Sequence, residues 1–312
     1  MEHVDTAPSP TPLFSAGLAA RTRAASVDLD GGSVSYWSYE PVRANPGMRT
    51  VLVIHGFRGD HHGLLRVADQ LPDMRLIMPD LPGFGSSAAF SGNERGGGHS
   101  VDRYGRFIGD FMAALGLGPE TVLLGHSFGS IIAGHFAAAH PGAVRELILI
   151  NPIAAPALEG PKGLMTKLAV LYYEAAARLP RRPGLALLRS RLIVRVMSEA
   201  MAKTRDKDLR RFVHAQHSAY FSAFASRDSL LEAFKASVGS NVSEVAGELR
   251  LPVLLIAGEK DEIALLPDAR KLVALLPDGT LEVIPGVGHL IHYETPEPAA
   301  GFIRRFLKDH PA

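Results

Sequence analysis

Residues 121–139 read TVLLGHSFGSIIAGHFAAA, and this stretch decides the fold. A short apolar run, TVLL, leads through the pentapeptide Gly125-His126-Ser127-Phe128-Gly129 into a segment with helical composition. In so tight a turn from strand to helix, the residues two before and two after the serine must be small, and here both are glycine. The pattern predicts that Ser127 stands at the turn as a nucleophile; the alternative is a serine that only caps the helix.

The segments on either side of this turn alternate between strand-like and helix-like patterns. Residues 24–40 alternate around Asp30-Gly31-Gly32, which predicts an antiparallel hairpin. Helical patterns separate the later apolar runs, and parallel strands need such crossovers, so an α/β fold with a mostly parallel sheet is predicted. The predicted strands are residues 50–56, 74–80, 121–127, 144–152, 251–258 and 279–286, and the predicted helices are residues 61–71, 100–116, 128–139, 267–276 and 296–308.

One long interval interrupts this alternation. From about residue 153 to residue 250 the sequence has no strand-like run and reads as helices, for example LMTKLAVLYYEAAARL. A structureless loop of roughly 100 residues is rare in a compact domain, so the interval is predicted to be an inserted helical cap. The predicted organisation is a flexible N-terminal arm at residues 1–20, a core made of residues 21–152 and 251–312, and a cap at residues 153–250.

The composition of the 312-residue chain is that of an ordinary globular protein, with 46% hydrophobic and 21% charged residues. It contains no cysteine, which excludes disulfides, cysteine-ligated metals and a cysteine nucleophile. The net charge of +1 gives no reason to expect a nucleic-acid partner. Residues 159–211 nevertheless hold 13 Lys/Arg and 5 Asp/Glu, a net charge of +8. This block is either a solvated helical face or a surface that attracts an anionic substrate or membrane.

The N-terminus does not resemble a secretory signal, and the sequence predicts a cytoplasmic protein. Glu2 and Asp5 lie where a signal needs positive charge, and three prolines lie where it needs apolar residues. No stretch reaches 18 uninterrupted apolar residues. Residues 164–179 are apolar over much of their helical circumference and have basic flanks. They fit either a cap helix packed on the core or a helix in peripheral contact with an anionic membrane.

Four further motifs accompany the serine pentapeptide. They are His55-Gly56 after a strand, Asp80-Leu81-Pro82-Gly83-Phe84-Gly85-Ser86-Ser87, Ala257-Gly258-Glu259-Lys260-Asp261 and Gly286-Val287-Gly288-His289. With this set in this order, the sequence resembles the α/β-hydrolase superfamily over about residues 24–312. The resemblance implies an eight-stranded, mostly parallel sheet flanked by helices, with an inserted all-helical cap. The motifs are specific for the fold and much less specific for the reaction.

Three residues are predicted to carry the chemistry. A serine hydroxyl is a poor nucleophile until a base takes its proton; an imidazole can do this near neutral pH, and a carboxylate fixes the imidazole tautomer. The resemblance implies the chain order serine, acid, histidine, which selects Ser127, Asp261 and His289. The strand that ends in Asn151-Pro152 offers no alternative carboxylate. The neighbouring alternatives are Glu262 and Asp268 for the acid and His292 for the base.

Two backbone N–H groups are expected to bind the oxyanion that develops during acyl transfer. Phe128 follows the nucleophile and supplies one; the resemblance assigns the other to Phe57, after His55-Gly56, and implies a structural role for His55. Aromatic side chains of these two residues and of the cap are predicted to line the substrate pocket, with packing inside the cap as the alternative. The candidates are Phe57, Phe128, Tyr172, Tyr173, Phe212, Tyr220, Phe221 and Phe224.

The sequence predicts no metal and no cofactor. His61 and His62 suggest a metal site, but adjacent residues on a helix do not face the same direction. Gly83 and Gly85 permit a turn and form no phosphate cradle, because no G-x-G-x-x-G pattern opens a helix there. Asp80, which begins this loop, is expected to order it rather than to act in catalysis.

Hydrolysis of a small-molecule carboxylic ester or thioester, anionic or lipid-like, is the leading interpretation. The resemblance argues against haloalkane dehalogenases and epoxide hydrolases, which use aspartate where this chain has Ser127. Carbon–carbon bond hydrolysis of the meta-cleavage type, or a related lyase reaction, uses the same three residues, although Ser130 stands where those enzymes usually have glycine. A monoacylglycerol-type lipase and a non-catalytic ligand receptor on this scaffold are the remaining alternatives.

Overall fold

The computed structural model describes residues 14–29, 32–43, 48–91, 98–156 and 163–311. An eight-stranded sheet forms the centre of the molecule, with the spatial strand order β1-β2-β4-β3-β5-β6-β7-β8. The strands are β1 (Thr22–Leu29), β2 (Gly32–Tyr39), β3 (Thr50–Ile54), β4 (Arg75–Pro79), β5 (Val122–His126), β6 (Glu146–Ile150), β7 (Val253–Gly258) and β8 (Gly279–Ile284).

The pairing of the strands follows the predicted pattern. β1 and β2 form the antiparallel hairpin, in which Leu29 pairs with Gly32, while Asp30 and Gly31 of the predicted turn lie outside the described residues. β2 is also antiparallel to β4, and every other pair in the sheet is parallel. The prediction of an α/β fold with an eight-stranded, mostly parallel sheet is therefore confirmed.

Helices cover both faces of the sheet, which is why its central strands are apolar throughout. Side chains alternate between the faces: Leu52 and Ile54 of β3 join one core cluster, and Val51 and Val53 join the other. The helices among the described residues are α1 (Ala16–Ala20), α2 (Leu65–Asp69), α3 (Val101–Ala114), α4 (Phe128–Ala139), α5 (Gly163–Arg178), α6 (Arg181–Leu188), α7 (Arg191–Met201), α8 (Lys207–Tyr220), α9 (Arg227–Gly239), α10 (Leu266–Leu275), α11 (Ile291–Glu294) and α12 (Pro296–Asp309).

Helices α5–α9 are inserted between β6 and β7, which confirms the predicted all-helical insertion. Within this cap, α5 packs on α6 and α9, and α7 packs on α8. The segment that leads from the core into the cap is hydrogen bonded to the segment that returns from the cap to the core. The carbonyl of Ile153 accepts from the Val242 N–H at 2.9 Å, and the carbonyl of Ala154 accepts from the Ser243 hydroxyl at 2.6 Å. We call these four residues the neck of the cap.

The predicted N-terminal arm, residues 1–20, includes the short helix α1. Its first 13 residues lie outside the described ranges. Ser15 donates its N–H and its hydroxyl to the Asp69 carboxylate at 2.8 and 2.6 Å, and helix α1 buries Leu18 against the core. These contacts remove the apolar Leu18 side chain from water. Among the described residues, no helix is both long enough and apolar enough to cross a membrane.

Candidate active site

The serine pentapeptide forms a sharp turn between β5 and α4. Ser127 has φ 54° and ψ −118°, a backbone conformation that non-glycine residues rarely adopt. A methyl group on Gly125 would lie 2.3 Å from the Gly129 carbonyl oxygen, and one on Gly129 would lie 2.3 Å from the Ile54 carbonyl oxygen. Only glycine fits at either position, so the sequence pattern reflects a close approach of β3, β5 and α4.

The three residues predicted to carry the chemistry lie in one hydrogen-bonded line. The Ser127 hydroxyl is 2.8 Å from Nε2 of His289, and Nδ1 of that ring is 2.8 Å from Oδ2 of Asp261. Because the carboxylate accepts, Nδ1 carries the ring proton and Nε2 is left to accept from the hydroxyl. This arrangement suits transfer of the serine proton to the imidazole.

The alternative residues are placed elsewhere. Glu262 pairs with Lys203 at 3.0 Å, and Asp268 pairs with Lys271 at 3.0 Å on the exposed side of α10. His292 is buried behind the serine turn, where its ring centroid lies 4.2 Å from that of His126. Burial lowers the pKa of His126 to about 3, and the nearby His289 acts in the same direction.

Asp261 is buried but amply hydrogen bonded. Its Oδ1 accepts from the N–H groups of Ile263 and Ala264 at 2.8 and 2.9 Å. Burial alone would raise the pKa of Asp261, but His289 and these two N–H groups outweigh burial and hold the pKa below its usual value. The carboxyl group therefore remains ionised where it faces the imidazole.

Asn151 is a site residue that the sequence reasoning missed. Its Nδ2 donates to Oδ2 of Asp261 at 2.8 Å, the same oxygen that accepts from His289. Asn151 is fully buried and has φ 48°, a left-handed conformation that asparagine tolerates better than most residues. The signal was its position just after β6, the strand beside β7, because the ends of neighbouring parallel strands lie close together.

The loop after β3 passes directly beside the nucleophile. A methyl group on Gly56 would lie 3.2 Å from Cβ of Ser127, so glycine permits this approach. His55 fixes the loop: Nδ1 lies 2.8 Å from the Gly56 carbonyl, and Nε2 accepts from the Leu81 N–H at 2.8 Å. These bonds agree with the structural role expected for His55. Both predicted oxyanion donors are therefore close to the nucleophile along the chain. Phe128 directly follows Ser127, and Phe57 directly follows Gly56, which lies beside Ser127.

Asp80 orders its own loop, as expected. Its Oδ2 accepts from the Ser86 N–H at 2.8 Å, and its Oδ1 accepts from the N–H of His61 and lies 2.9 Å from Nδ1 of that ring. Burial would raise the pKa of Asp80, but His61 and the other donors lower it. The carboxylate thus links this loop to the turn that holds His61.

His61 and His62 lie side by side, contrary to the expectation that they face apart. Their ring centroids are 3.9 Å apart, within a stack in which Trp37 of β2 covers His61 at 3.3 Å and Tyr220 of α8 covers His62 at 3.8 Å. The difference arises because residues 61–64 form a 3-10 turn rather than the start of an α-helix. The stack joins the core to the cap.

The same pair forms a cluster with Asp60 in which one ligand atom from each residue lies within 4.8 Å of the others. Nδ1 of His61 lies 2.9 Å from the Asp80 carboxylate, and Nδ1 of His62 lies 3.1 Å from that of Asp60. The absence of a metal remains a prediction from the sequence.

Phe57 is the predicted pocket residue that lies where the cap meets the core. Its half-buried ring contacts Phe84 of the core at 5.9 Å between centroids, and Tyr173 and Phe234 of the cap at 5.8 and 5.4 Å. Tyr173 is one of the predicted cap candidates, whereas Phe234 was absent from the predicted pocket set. Helical spacing alone could not show that these side chains of α5 and α9 meet at one phenylalanine.

The other predicted pocket residues make mainly structural contacts. Phe128 is buried in the main core, edge-on to Tyr104 at 5.6 Å. Four others pack within the cap or at its joint with the core. The Tyr172 hydroxyl donates to the Leu187 carbonyl, Tyr220 stacks on His62, Phe221 stacks on His217, and Phe224 lies beneath Arg58 and Arg189.

Comparison with known proteins finds similarity over most of the chain. A family model described as alpha/beta hydrolase fold matches residues 49–296. Lipase 3 of Moraxella sp. (strain TA144) is 25% identical over 284 residues, 88% of this chain and 81% of that protein. The 2-hydroxy-6-oxo-6-phenylhexa-2,4-dienoate hydrolase of Burkholderia cepacia is 28% identical over 222 residues, 70% of this chain and 72% of that protein.

A solved structure gives the same result for the fold. The thermophilic esterase from Thermogutta terrifontis superposes with a TM-score of 0.70 at 22% identity, covering 93% of this chain and all of that one. The family match spans well over half of the chain, including the serine turn and the loops that carry Asp261 and His289. The protein is thus a member of the α/β-hydrolase fold family.

Proposed function

We propose that the protein is a serine hydrolase that cleaves a carboxylic ester or thioester through an acyl-enzyme on Ser127. The observation that carries this proposal is the line Ser127–His289–Asp261, with 2.8 Å at each step. The strained turn that presents Ser127 and the similarity to lipases and esterases support it. His289 is the base and Asp261 orients it.

The proposed reaction has two halves. The Ser127 oxygen attacks the substrate carbonyl carbon while His289 takes the hydroxyl proton, and the N–H groups of Phe57 and Phe128 bind the oxyanion. His289 then gives its proton to the leaving alcohol or thiol, and the acyl group stays on Ser127. A water, deprotonated by His289, attacks the acyl carbon and restores the free serine. Asp261 remains ionised and stabilises the imidazolium in both halves.

Hydrolysis of p-nitrophenyl esters from acetate to palmitate, with an acyl thioester series beside it, tests the proposal. Ser127→Ala should abolish turnover, while Ser218→Ala, on the exposed side of α8, should leave it unchanged. The acyl chain length that gives the highest kcat/KM indicates the length of acyl chain that the pocket accommodates. A wild-type protein that binds these substrates without turning them over would instead favour a receptor.

Carbon–carbon bond hydrolysis is the second candidate, because one relative is a hydrolase of that type. In this chain, the Ser130 hydroxyl donates to the Ser127 carbonyl at 2.5 Å and accepts from the Ile153 N–H at 3.1 Å. Ser130 therefore ties the serine turn to the neck and is not simply a replacement for glycine. Cleavage of a 2-hydroxy-6-oxo-dienoate, with no cleavage of any ester, would favour this candidate.

We further propose that the ester substrate is lipid-like and is met at an anionic membrane surface. The outer faces of two cap helices combine exposed aliphatic and basic side chains, the composition of helices that rest on such membranes. Of these, Leu192 is 73% exposed and Val196 is 61% exposed. The residues are Lys167, Leu168, Leu171 and Arg178 on α5, and Arg191, Leu192, Arg195 and Val196 on α7.

Co-sedimentation with lipid vesicles tests this location. The protein should bind phosphatidylglycerol vesicles and leave phosphatidylcholine vesicles unbound. Replacing Lys167 and Arg191, two exposed basic residues of this surface, by glutamate should weaken binding at least about tenfold, because each basic residue near such a surface contributes about 1 kcal/mol. Leu192→Ser should also weaken it, whereas Leu275→Ser, an exposed leucine on the core helix α10, should not. Equal binding to both lipids would contradict the proposal.

A further inference from the structure

The turn beside the nucleophile contains an unusual residue. Residues Gly56–Gly59 form a turn closed by a hydrogen bond from the Gly59 N–H to the Gly56 carbonyl at 3.0 Å. Arg58, at the third position, has φ 60°. A positive φ at this position of a turn is ordinarily supplied by glycine or asparagine. A residue with a long side chain adopts a positive φ only where contacts with the surrounding structure impose that conformation.

The side chain of Arg58 supplies that constraint. It is 1% exposed, and its guanidinium donates to three parts of the cap. Nε donates to the Phe221 carbonyl after α8 at 2.9 Å, Nη1 to the Tyr173 hydroxyl of α5 at 3.3 Å, and Nη2 to the Leu188 carbonyl at the end of α6 at 2.7 Å. These three acceptors are far apart in sequence and meet only when the cap is docked.

Because the Arg58 guanidinium is charged and buried, it depends on its hydrogen bonds to the docked cap. Within the described ranges, no carboxylate pairs with its guanidinium, which lies 5.6 Å from the ring centroid of Phe224. A buried cation must have its N–H groups satisfied, and here cap groups satisfy them. If the cap moved away, the guanidinium would be hydrated instead, and the constraint on φ of Arg58 would be lost.

The position of Arg58 in the chain connects this contact to the chemistry. Arg58 directly follows Phe57, whose N–H is the proposed second oxyanion donor, and Gly56 approaches Ser127 on the other side. A displacement of about 1 Å in a group that binds the transition state can cost about a hundredfold in rate. A change in φ of Arg58 turns the Phe57–Arg58 peptide plane, which carries the Phe57 carbonyl. The Phe57 N–H lies in the preceding peptide plane, inside the same turn closed by the Gly59–Gly56 hydrogen bond, so it shifts when that turn opens.

We propose that Arg58 is a positioning residue that makes the oxyanion site depend on the cap. By holding α5, α6 and the end of α8, its side chain fixes the turn that orients the Phe57 N–H. The site is then complete only while the cap is docked. This inference rests on the proposed function in one respect, the use of the Phe57 N–H as an oxyanion donor.

Two substitutions separate the backbone of Arg58 from its side chain. Arg58→Gly permits the positive φ and removes the three contacts, whereas Arg58→Lys keeps the charge and loses the forked geometry. Arg189 provides a matched control. It belongs to the cap and also lies over the Phe224 ring, at 5.1 Å. Its Nη2 donates to the Phe224 carbonyl at 3.5 Å, and among the described residues it makes no hydrogen bond to the turn at residues 56–59. Arg189→Gly and Arg189→Lys are the control variants.

The first readout is kcat and KM for a short soluble ester, together with the rate at which a fluorophosphonate labels Ser127. Arg58→Gly and Arg58→Lys should lower kcat and the labelling rate by about ten- to a hundredfold and change KM little, because transition-state binding is what is lost. The Arg189 variants should stay within about twofold of the wild type on the same measurements. Wild-type kcat in Arg58→Gly, or a raised KM with unchanged kcat, would overturn the inference.

The second readout, hydrogen exchange, needs no catalysis. Exchange in residues 55–60 and at the ends of α5, α6 and α8 should become faster together in both Arg58 variants and in neither Arg189 variant. Unchanged exchange in residues 55–60 would overturn the inference. A wild-type protein that neither hydrolyses esters nor reacts with the fluorophosphonate would contradict the proposed function instead, while the exchange result would still decide whether Arg58 couples the turn to the cap.

Discussion

At the scale of single residues, backbone strain is concentrated at the candidate site. Among the described residues, the non-glycine residues with positive φ are Arg58, Ser127 and Asn151, which follow the neighbouring strands β3, β5 and β6. Strain of this kind persists where surrounding contacts over-determine the conformation. Only Ser127 was predictable from the sequence, because its pattern is local. The contacts that hold Arg58 and Asn151 come from residues more than 100 positions away.

Asn151→Gly tests the role of the amide at Asp261. Glycine accepts φ 48° without strain, so the substitution removes the donor and leaves the backbone. A hydrogen bond to a charged group is worth about 1.5–3 kcal/mol, so we expect kcat/KM for a p-nitrophenyl ester to fall about tenfold or more. KM should change little, since Asn151 is fully buried.

Asn241→Gly is the matched control for this prediction. Asn241 is also buried, but its side chain accepts from the Ser243 N–H at the start of a 3-10 turn near the neck. Its replacement should lower the unfolding free energy and leave kcat unchanged at temperatures well below Tm. If Asn151→Gly retained wild-type kcat/KM, Asp261 would not need the amide to orient His289.

At the scale of elements, the sequence predicted those whose residues share one repeating pattern. The strands and the helices around the serine turn lie close to the predicted ranges, because strands buried on both faces are apolar throughout. Residues 61–71 were predicted as one helix, but they form a 3-10 turn, His61–Leu64, and the short helix α2. Here the hydrogen bonds of Asp60 and Asp80 to His61 and His62 outweigh the helical pattern.

For two glycines, each inside a helix, we expect substitution by alanine to change the unfolding free energy in opposite directions. Gly129→Ala in α4 places a methyl group 2.3 Å from the backbone of β3, so we expect a loss of about 3 kcal/mol or more in unfolding free energy. Gly105→Ala in α3 meets no atom within 4 Å and should raise the unfolding free energy by about 1 kcal/mol, since alanine favours helices. Urea unfolding of both variants measures these changes. Equal effects of the two substitutions would contradict the packing argument.

At the scale of the whole molecule, a series of buried histidines runs from the serine turn into the cap. His126 and His292 lie behind Ser127, and His217 of α8 stacks on Phe221, with its Nδ1 2.7 Å from the Ser198 hydroxyl. Burial lowers the pKa of His126 and of His217 to about 3 and lowers that of His292 well below its usual value. These rings are neutral at neutral pH, as their apolar surroundings require.

The stability of the protein should fall with acid for this reason. Between about pH 6.5 and 3, the unfolded chain binds protons that His126 and His217 in the folded protein do not. Their contribution is therefore fully present above about pH 6.5 and is lost as the pH falls, by about 1.4 kcal/mol per pH unit for each histidine. Thermal unfolding from pH 4 to 8 measures this slope.

His217→Asn should reduce the slope, since asparagine can keep a bond to Ser198 but cannot take up a proton in this range. His140→Asn, at an exposed histidine after α4, is the control and should leave the slope unchanged. A slope that stays the same in His217→Asn would show that other groups cause the acid sensitivity. The neighbouring groups to consider are His214, which shares the Ser198 hydroxyl, and Tyr293, which faces the ring.

The cap also shows the limit of sequence reasoning for the whole molecule. The absence of strand-like runs in residues 153–250 predicted that the cap is helical and is inserted between β6 and β7. The sequence did not predict how the cap packs on the core. That packing depends on contacts such as those of Arg58, and on the meeting of Phe57 with Tyr173 and Phe234. None of these contacts has a fixed spacing in the sequence.

The neck of the cap has a consequence for how such proteins diversify. Because Ile153 and Ala154 bond directly to Val242 and Ser243, the whole cap is attached as a module with both of its ends at one junction. Recombination at this junction could replace one cap with another without reordering the sheet. Substrate range would then be inherited with the module and reactivity with the scaffold, provided that the new module offered acceptors to Arg58.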